Sequence, residues 1–292
     1  MKRVINFLKF RYIALGVSVL LFIVFTSGTI AQGGFNFGID FVGGVKIIAK
    51  FEKSVKEKDI RNALVKYKPL VQQIGEDSLN EYIISTKLKE GDKGSENSLE
   101  DVKKILSTAF SDIEFLSEEN VGPAIGDILK KDAIKLFLVA MILMTIYLSF
   151  RFEFKYSVGT MAAIVHDIAL SVGFIGFTGV EMNVPVVAAL LTIFGYSVND
   201  TIVIFDRIRE NVQVKSKMTF LDTINKGISQ SINRTLLTSL TTLFAVLALY
   251  LLGGAGLNEF AMVLLFGIFV GTYSSLYIAS PILVSWEKRF SK

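Results

Sequence analysis

Six long stretches of the chain are almost free of charge: Tyr12–Ala31, Ala133–Phe150, Tyr156–Val180, Met182–Phe205, Thr235–Asn258 and Phe260–Trp286. About 20 residues rising about 1.5 Å each cross a hydrocarbon core of about 30 Å, so each stretch predicts a membrane-spanning helix. The first follows a basic "MKRVINFLKFR" and ends in small residues at Thr29 and Ala31, the outline of a cleaved leader. Its apolar run outlasts the h-region of about 7–15 residues usual in such leaders, so a retained anchor is expected.

Between the first two stretches the period changes. "FVGGVKIIAKF" alternates and is β-branched, which predicts a strand over Gly44–Phe51. "SVKEKDIRNALVKY" places Val55, Ile60, Leu64 and Tyr67 on one helical stripe, with Ser54 as its N-cap. "PLVQQIG" and "EYIISTK" read as short strands, "GDKGSENS" as a loop, "SLEDVKKILSTAF" as a helix starting at Ser98, and "DIEFLSEENVG" as a closing strand. The order β-α-β-β-α-β predicts the ferredoxin-like plan, an antiparallel sheet under two helices. Its open face suits an extended chain or a partner, or serves only as a spacer. The expected fold class is thus a polytopic α-helical membrane protein, a six-span bundle with one α+β ferredoxin-like extracytoplasmic domain between spans one and two. Residues 1–31 form the N-terminus and first span. Residues 32–131 form the outer domain. Residues 132–292 form a five-span bundle with a cytoplasmic loop at 206–233.

Charge sets the orientation. Lys2, Arg3, Lys9 and Arg11 precede span one, Arg151 and Lys155 separate spans two and three, and Arg207, Arg209, Lys215, Lys217 and Lys226 separate spans four and five. Lys288, Arg289 and Lys292 follow span six, while "EMN" and "GGAGLNE" hold no Lys or Arg. Basic loops stay cytoplasmic, so both termini are expected there. The net charge of +4 follows from this bias and argues for no nucleic acid. A hydrophobic content of 51% and a mean hydropathy of +0.52 fit a membrane protein. With no Cys and one His, disulfides, thiol chemistry and His or Cys metal sites drop out. Neither a nucleophile elbow nor a nucleotide loop is present, so no enzyme and no cofactor are expected.

Two Gly-bearing motifs flank the outer domain. "FNFGIDFVGG" supplies Gly38, Asp40, Gly43 and Gly44, and "ENVGPAIG" supplies Gly122, Pro123 and Gly126. Such residues at membrane exits imply tight turns and close backbone approach. Gly173, Gly176, Gly179, Gly267 and Gly271 imply close helix packing within the bundle.

Few ionisable residues enter the spans, and such residues face protein or water and pair. His166 and Asp167 lie about ten residues into span three, and Asp200 about five residues from the inner end of span four. Arg234 opens span five at a similar depth, so an Asp200–Arg234 ion pair is sterically feasible. Ser197, Asn199 and Thr201 surround Asp200, and Thr235, Thr238, Ser239, Thr241 and Thr242 follow Arg234. His166–Asp167 is either a local hydrogen-bonded pair or part of the same path. Exclusion from water and a nearby guanidinium favour opposite protonation states of Asp200. A side chain held between them suits proton handling; a fixed structural ion pair is the alternative. Phe220, Ile224, Ile228 and Ile232 form an apolar stripe between spans four and five, for the membrane surface or the base of the bundle.

"FGIDFVGG", "ENVGPAIG", "VHDIALSVGFIGFTG" and "TIFGYSVNDTIVIFDRIRENV" together resemble the SecD/SecF family of protein-export membrane subunits, within the resistance-nodulation-division group. The N-D-T form is similar to the SecF type, and the likeness runs the length of the chain. It implies a multi-pass protein of the bacterial inner membrane that pairs with SecD, assists the SecYEG channel and conducts protons. It implies an outer domain that helps draw unfolded polypeptide across. The family's proton-path carboxylate falls on Asp200 and its membrane arginine on Arg234. A small-molecule/proton antiporter and a non-conducting scaffold are the competing readings.

Overall fold

The structure is a computed structural model that describes residues 4–74, 79–87, 95–214 and 218–290. Part of the expected 91–98 loop, and Lys215 and Lys217 of the orientation argument, lie outside these residues. A 3₁₀ turn at Phe7–Phe10 leads into α1 (Arg11–Ala31). A short α2 (Ile39–Val42) precedes β1 (Gly44–Phe51), α3 (Glu57–Ala63), β2 (Leu70–Ile74), β3 (Glu81–Lys87), α4 (Ser95–Ala109) and β4 (Ile113–Val121). The bundle continues with α5 (Pro123–Arg151), α6 (Phe154–Thr178), α7 (Val184–Gln213), α8 (Phe220–Leu252) and α9 (Ala255–Ser274). A π-helical turn at Ser275–Ala279 joins α9 to α10 (Ser280–Phe290). Six of these helical stretches are long and apolar enough to cross a membrane.

The four strands form one antiparallel sheet in the order β2-β3-β1-β4. Alternation along β1 puts Val45, Ile47, Ala49 and Phe51 on one face, against Ile60, Leu64, Val102 and Leu106 of the helical side. Ile47, Ile60, Leu64 and Leu106 are fully buried. Each such side chain stabilises the unit by about 1.5–3 kcal/mol relative to exposure. β4 closes the sheet as a terminal strand carrying Glu114, Glu118 and Glu119, and its pairing with β1 shifts register between Ile48 and Ala49.

Several boundaries differ from expectation, among them α4, which starts at Ser95 and not Ser98. α3 starts at Glu57 with Lys56 as its N-cap, so Ser54 does not cap it, and a 3₁₀ turn (Val65–Tyr67) ends the segment. The expected surface helix after span four is the first part of α8, which continues unbroken into span five. Ile224 and Ile228 are fully buried in the bundle core, and Asn225 accepts the backbone N–H of Leu8 at 3.1 Å. The apolar stripe therefore packs on the base of the bundle.

Lipid tails are as apolar as the helices, so close backbone approach holds the bundle together more than hydrophobic contrast does. A β-carbon at Gly173 would press on Phe25 of α1, and one at Gly267 on Ile193 of α7. The most central helices are α7 and the α9–α10 stretch; α5 and α8 leave most of their length exposed.

Candidate functional site

Two carboxylates sit inside the bundle, on either side of α9. Asp200 of α7 is 1% exposed. Its Oδ2 accepts the hydroxyl of Ser239 from α8 at 3.0 Å and that of Thr272 from α9 at 3.3 Å. Thr272 also bonds Ser239 at 2.8 Å, closing a triangle. Asp167 of α6 is fully buried. Its Oδ2 accepts from Ser197 of α7 at 2.6 Å and Ser274 of α9 at 2.7 Å, and its Oδ1 lies 2.8 Å from His166 Nδ1. His166 Nε2 reaches Ser18 of α1 at 2.9 Å. Thr201 and Ser275 share a hydrogen bond of 2.8 Å between the two acids. A β-carbon at Gly271 would press on Ser197, whose Cβ lies 3.3 Å from that position.

Local sequence explains the clustering. Residues four apart share a helix face, so Ser197 and Thr201 both turn towards α9. The run Gly271-Thr272-Tyr273-Ser274-Ser275 supplies hydroxyls on several sides of one helix end, and the π turn follows directly. π turns concentrate at functional sites because they re-aim side chains without ending the helix. A buried carboxylate lacking a cation needs several donors to be tolerable. Here hydroxyls fill that role.

The expected ion pair is absent. Among the described residues, no Lys or Arg lies within salt-bridge distance of Asp200 or Asp167. Arg234 is exposed on the surface of this chain, more than one helical turn before Ser239. Asn199 is also exposed, because it neighbours Asp200 in sequence and so points about 100° away on the helix. Ser197 and Thr201 join the cluster, but Ser197 serves Asp167 and not Asp200. Ser18, Thr272, Ser274 and Ser275 were not among the sequence candidates. The hydroxyl run at 272–275 inside an apolar span was the available signal.

At the other end of the bundle the two Gly motifs meet. Gly43 packs on Pro123, its β-carbon position 3.0 Å from the proline nitrogen, and Gly126 packs on the Phe41 carbonyl at 2.8 Å. Gly122 caps α5, with Pro123 in its first turn. Gly38 N–H donates to Met182 O and Met182 N–H to Asn36 O, both at 2.7 Å. Asp40 accepts the Val184 N–H at 2.8 Å, so the motif carboxylate sits at the positive end of α7. Glu259 accepts from Glu181 N–H at 3.2 Å and Asn183 Nδ2 at 3.1 Å. The turn before the sheet is thereby stitched to the α6–α7 loop and the start of α9.

Glu181 is 9% exposed in this joint. Burial pushes its carboxyl above the usual range; Asp40 adds to the shift, while Lys87, the Ile39 N–H and Lys46 oppose it. A raised folded pKa gives stability that is complete below the unfolded value of about 4.3 and is lost as pH rises through the folded value. Glu181→Gln should therefore flatten the profile. We expect a thermal midpoint a few degrees above wild type at pH 8 and indistinguishable at pH 4, measured on the detergent-solubilised protein.

Six apolar helices around hydroxyl-bound buried acids, with an antiparallel α+β unit inserted after the first, define a multi-pass membrane protein with a polar core. The family model for the C-terminal part of the SecD/SecF protein export membrane proteins matches residues 101–289, and that for the SecD/SecF GG motif matches residues 28–55. This chain belongs to the SecD/SecF family. It is 36% identical over 286 residues to the protein translocase subunit SecDF of Thermus thermophilus, covering 96% of this chain and 38% of that one. It is 36% identical over 296 residues to the protein translocase subunit SecF of Desulfurispirillum indicum, covering 98% of this chain and 93% of that one. The crystal structure of SecDF, a translocon-associated membrane protein from Thermus thermophilus, matches with a TM-score of 0.83 at 34% identity, over 99% of this chain and 39% of that one.

Proposed function

We propose that this chain is a SecF-type accessory subunit of the Sec protein translocase in a bacterial cytoplasmic membrane. It acts with a SecD partner beside the SecYEG channel and draws on the proton-motive force to promote export of unfolded polypeptide, without covalent chemistry. The family and the length match to SecF relatives support the export role. Similarity to proteins that carry both halves in one chain supports the SecD partner. The observation that carries the proton reading is Asp200, buried without a cation and held by hydroxyls from two other helices.

An ionised Asp200 only accepts hydrogen bonds, whereas a protonated one also donates. With Asp200 ionised, Ser239 and Thr272 bring two protons to three contacts, so one contact lacks a hydrogen. A bound proton supplies the third and closes the triangle; when it leaves, that contact opens again. Protons enter from the outer side and leave to the cytoplasm, and each charge moved across about 100 mV supplies about 2.3 kcal/mol. The unit formed by β1 to β4 is then a ferredoxin-like extracytoplasmic domain, and its open sheet face meets the emerging chain. Arg234 and Asn199, exposed on this chain, face the SecD half.

The test compares membrane vesicles with and without this chain at matched channel content. The chain's contribution to export should disappear with a protonophore. A contribution that survives it would make the protein a scaffold, and altered efflux of small molecules with normal export would make it an antiporter.

A further inference from the structure

Three consecutive residues of α9 point three ways. Thr272 donates to Asp200 and Ser274 to Asp167. Between them, Tyr273 reaches α1: its hydroxyl donates to the Ala14 carbonyl at 2.6 Å and lies 3.2 Å from Ser18 Oγ. Ser18 is also the partner of His166, which holds the other oxygen of Asp167. Both acids are thus read by the same short piece of helix that grips α1. α1 in turn leads through residues 32–43 straight into β1. The π turn starting at Ser275 loosens the helix just past the grip, and Ser280 reaches back to the Ser275 carbonyl across it. Successive residues on a helix are about 100° apart, so a small rotation that re-aims Thr272 or Ser274 must carry the tyrosine with it.

We propose that Tyr273 is the coupling residue that carries a change at Asp200 or Asp167 into α1 and from there to the root of the outer domain. This inference rests on the proton-driven reading given above. Tyr273 exchanges no proton with the acids; it is a positioning residue whose phenolic hydroxyl is the handle. Its ring packs against Tyr277 and His166, contacts that Tyr273→Phe keeps.

The experiment reconstitutes the full chain with its SecD partner and the channel in vesicles. It reads two quantities under an imposed proton gradient, proton uptake and export. Tyr273→Phe should leave uptake within about twofold of wild type and lower gradient-stimulated export by about fivefold, the scale of one lost hydrogen bond. Parallel loss of both quantities would reduce Tyr273 to a structural role, and retention of both would remove it from the path; either overturns the inference. If Tyr273→Phe fails to accumulate, hydrogen exchange of the α1 amides in the wild-type complex is measured with and without the gradient; exchange that does not respond to the gradient overturns the inference. Wild-type protein that shows no gradient-dependent export would overturn the proton-driven reading itself, a result visible before any variant is made.

Discussion

We expect Asp200→Asn to accumulate at wild-type level and to fail to support potential-driven export. The carboxamide has nearly the volume of the acid, and its groups find partners in Ser239 and Thr272, whose hydroxyls both donate and accept. The cost to folding should stay within about 1 kcal/mol, the scale of one exchanged hydrogen bond. What the amide lacks is a proton to gain and lose. Gradient-stimulated export should therefore fall more than about tenfold, which corresponds to about 1.4 kcal/mol or more of lost driving force. The check is secretion of a reporter at matched amounts of subunit, with and without a membrane potential. Export that keeps its sensitivity to potential in this variant would assign Asp200 a structural role.

The second large effect falls on the joint beneath the sheet. Gly44 has φ +156, and a β-carbon there would run into the carbonyl oxygen of Thr86 and the side chain of Ile39. Neither side can yield, because Gly44 pairs with Lys87 on one strand and Val121 on the other. Backbone strain and overpacking each cost about 1–3 kcal/mol, and here they act together. Gly44→Val should lower subunit accumulation several-fold and open the β1–β3 amides to hydrogen exchange. Gly16, in the middle of α1, is the control. Among the described residues, no atom from another part of the chain lies within 4 Å of its β-carbon position, so Gly16→Ala should be nearly neutral. Equal behaviour of the two variants would contradict the close approach at the Gly43–Gly44 turn.

Charge and period were enough to locate the membrane helices and most of the strands. β1 begins and ends where alternation of Val45, Ile47, Ala49 and Phe51 places it, because one face of that strand is a core and the other is not. Helix ends were less legible. α7 and α8 run well past their apolar stretches, since polar residues such as Asn225 find partners on other elements that sequence spacing does not reveal. The site was legible in its acids and not in their partners. Asp167 and Asp200 stand out because buried carboxylates are rare in membrane helices. Which hydroxyl meets which acid depends on the rotational phase of α9 against α6, α7 and α8. Ser239 is visible as one of several hydroxyls after Arg234, whereas nothing in the spacing singles out Thr272 and Ser274. Arg234 does not meet Asp200 within this chain for the same reason: matching depth does not fix matching direction.

The terminal position of β4 has a consequence for how the sheet meets other extended chains. An exposed strand edge offers a template on which any extended segment can add itself, and growth by repeated addition is how aggregates begin. β4 carries Glu114, Glu118 and Glu119, and it is itself bulged near the middle, where Leu116 has no opposite residue on β1. The charged side chains, Glu118 paired with Lys103 and Glu119 with Lys46, and the broken repeat both deter stacking. An extended segment that reaches this rim is then not readily zippered onto it.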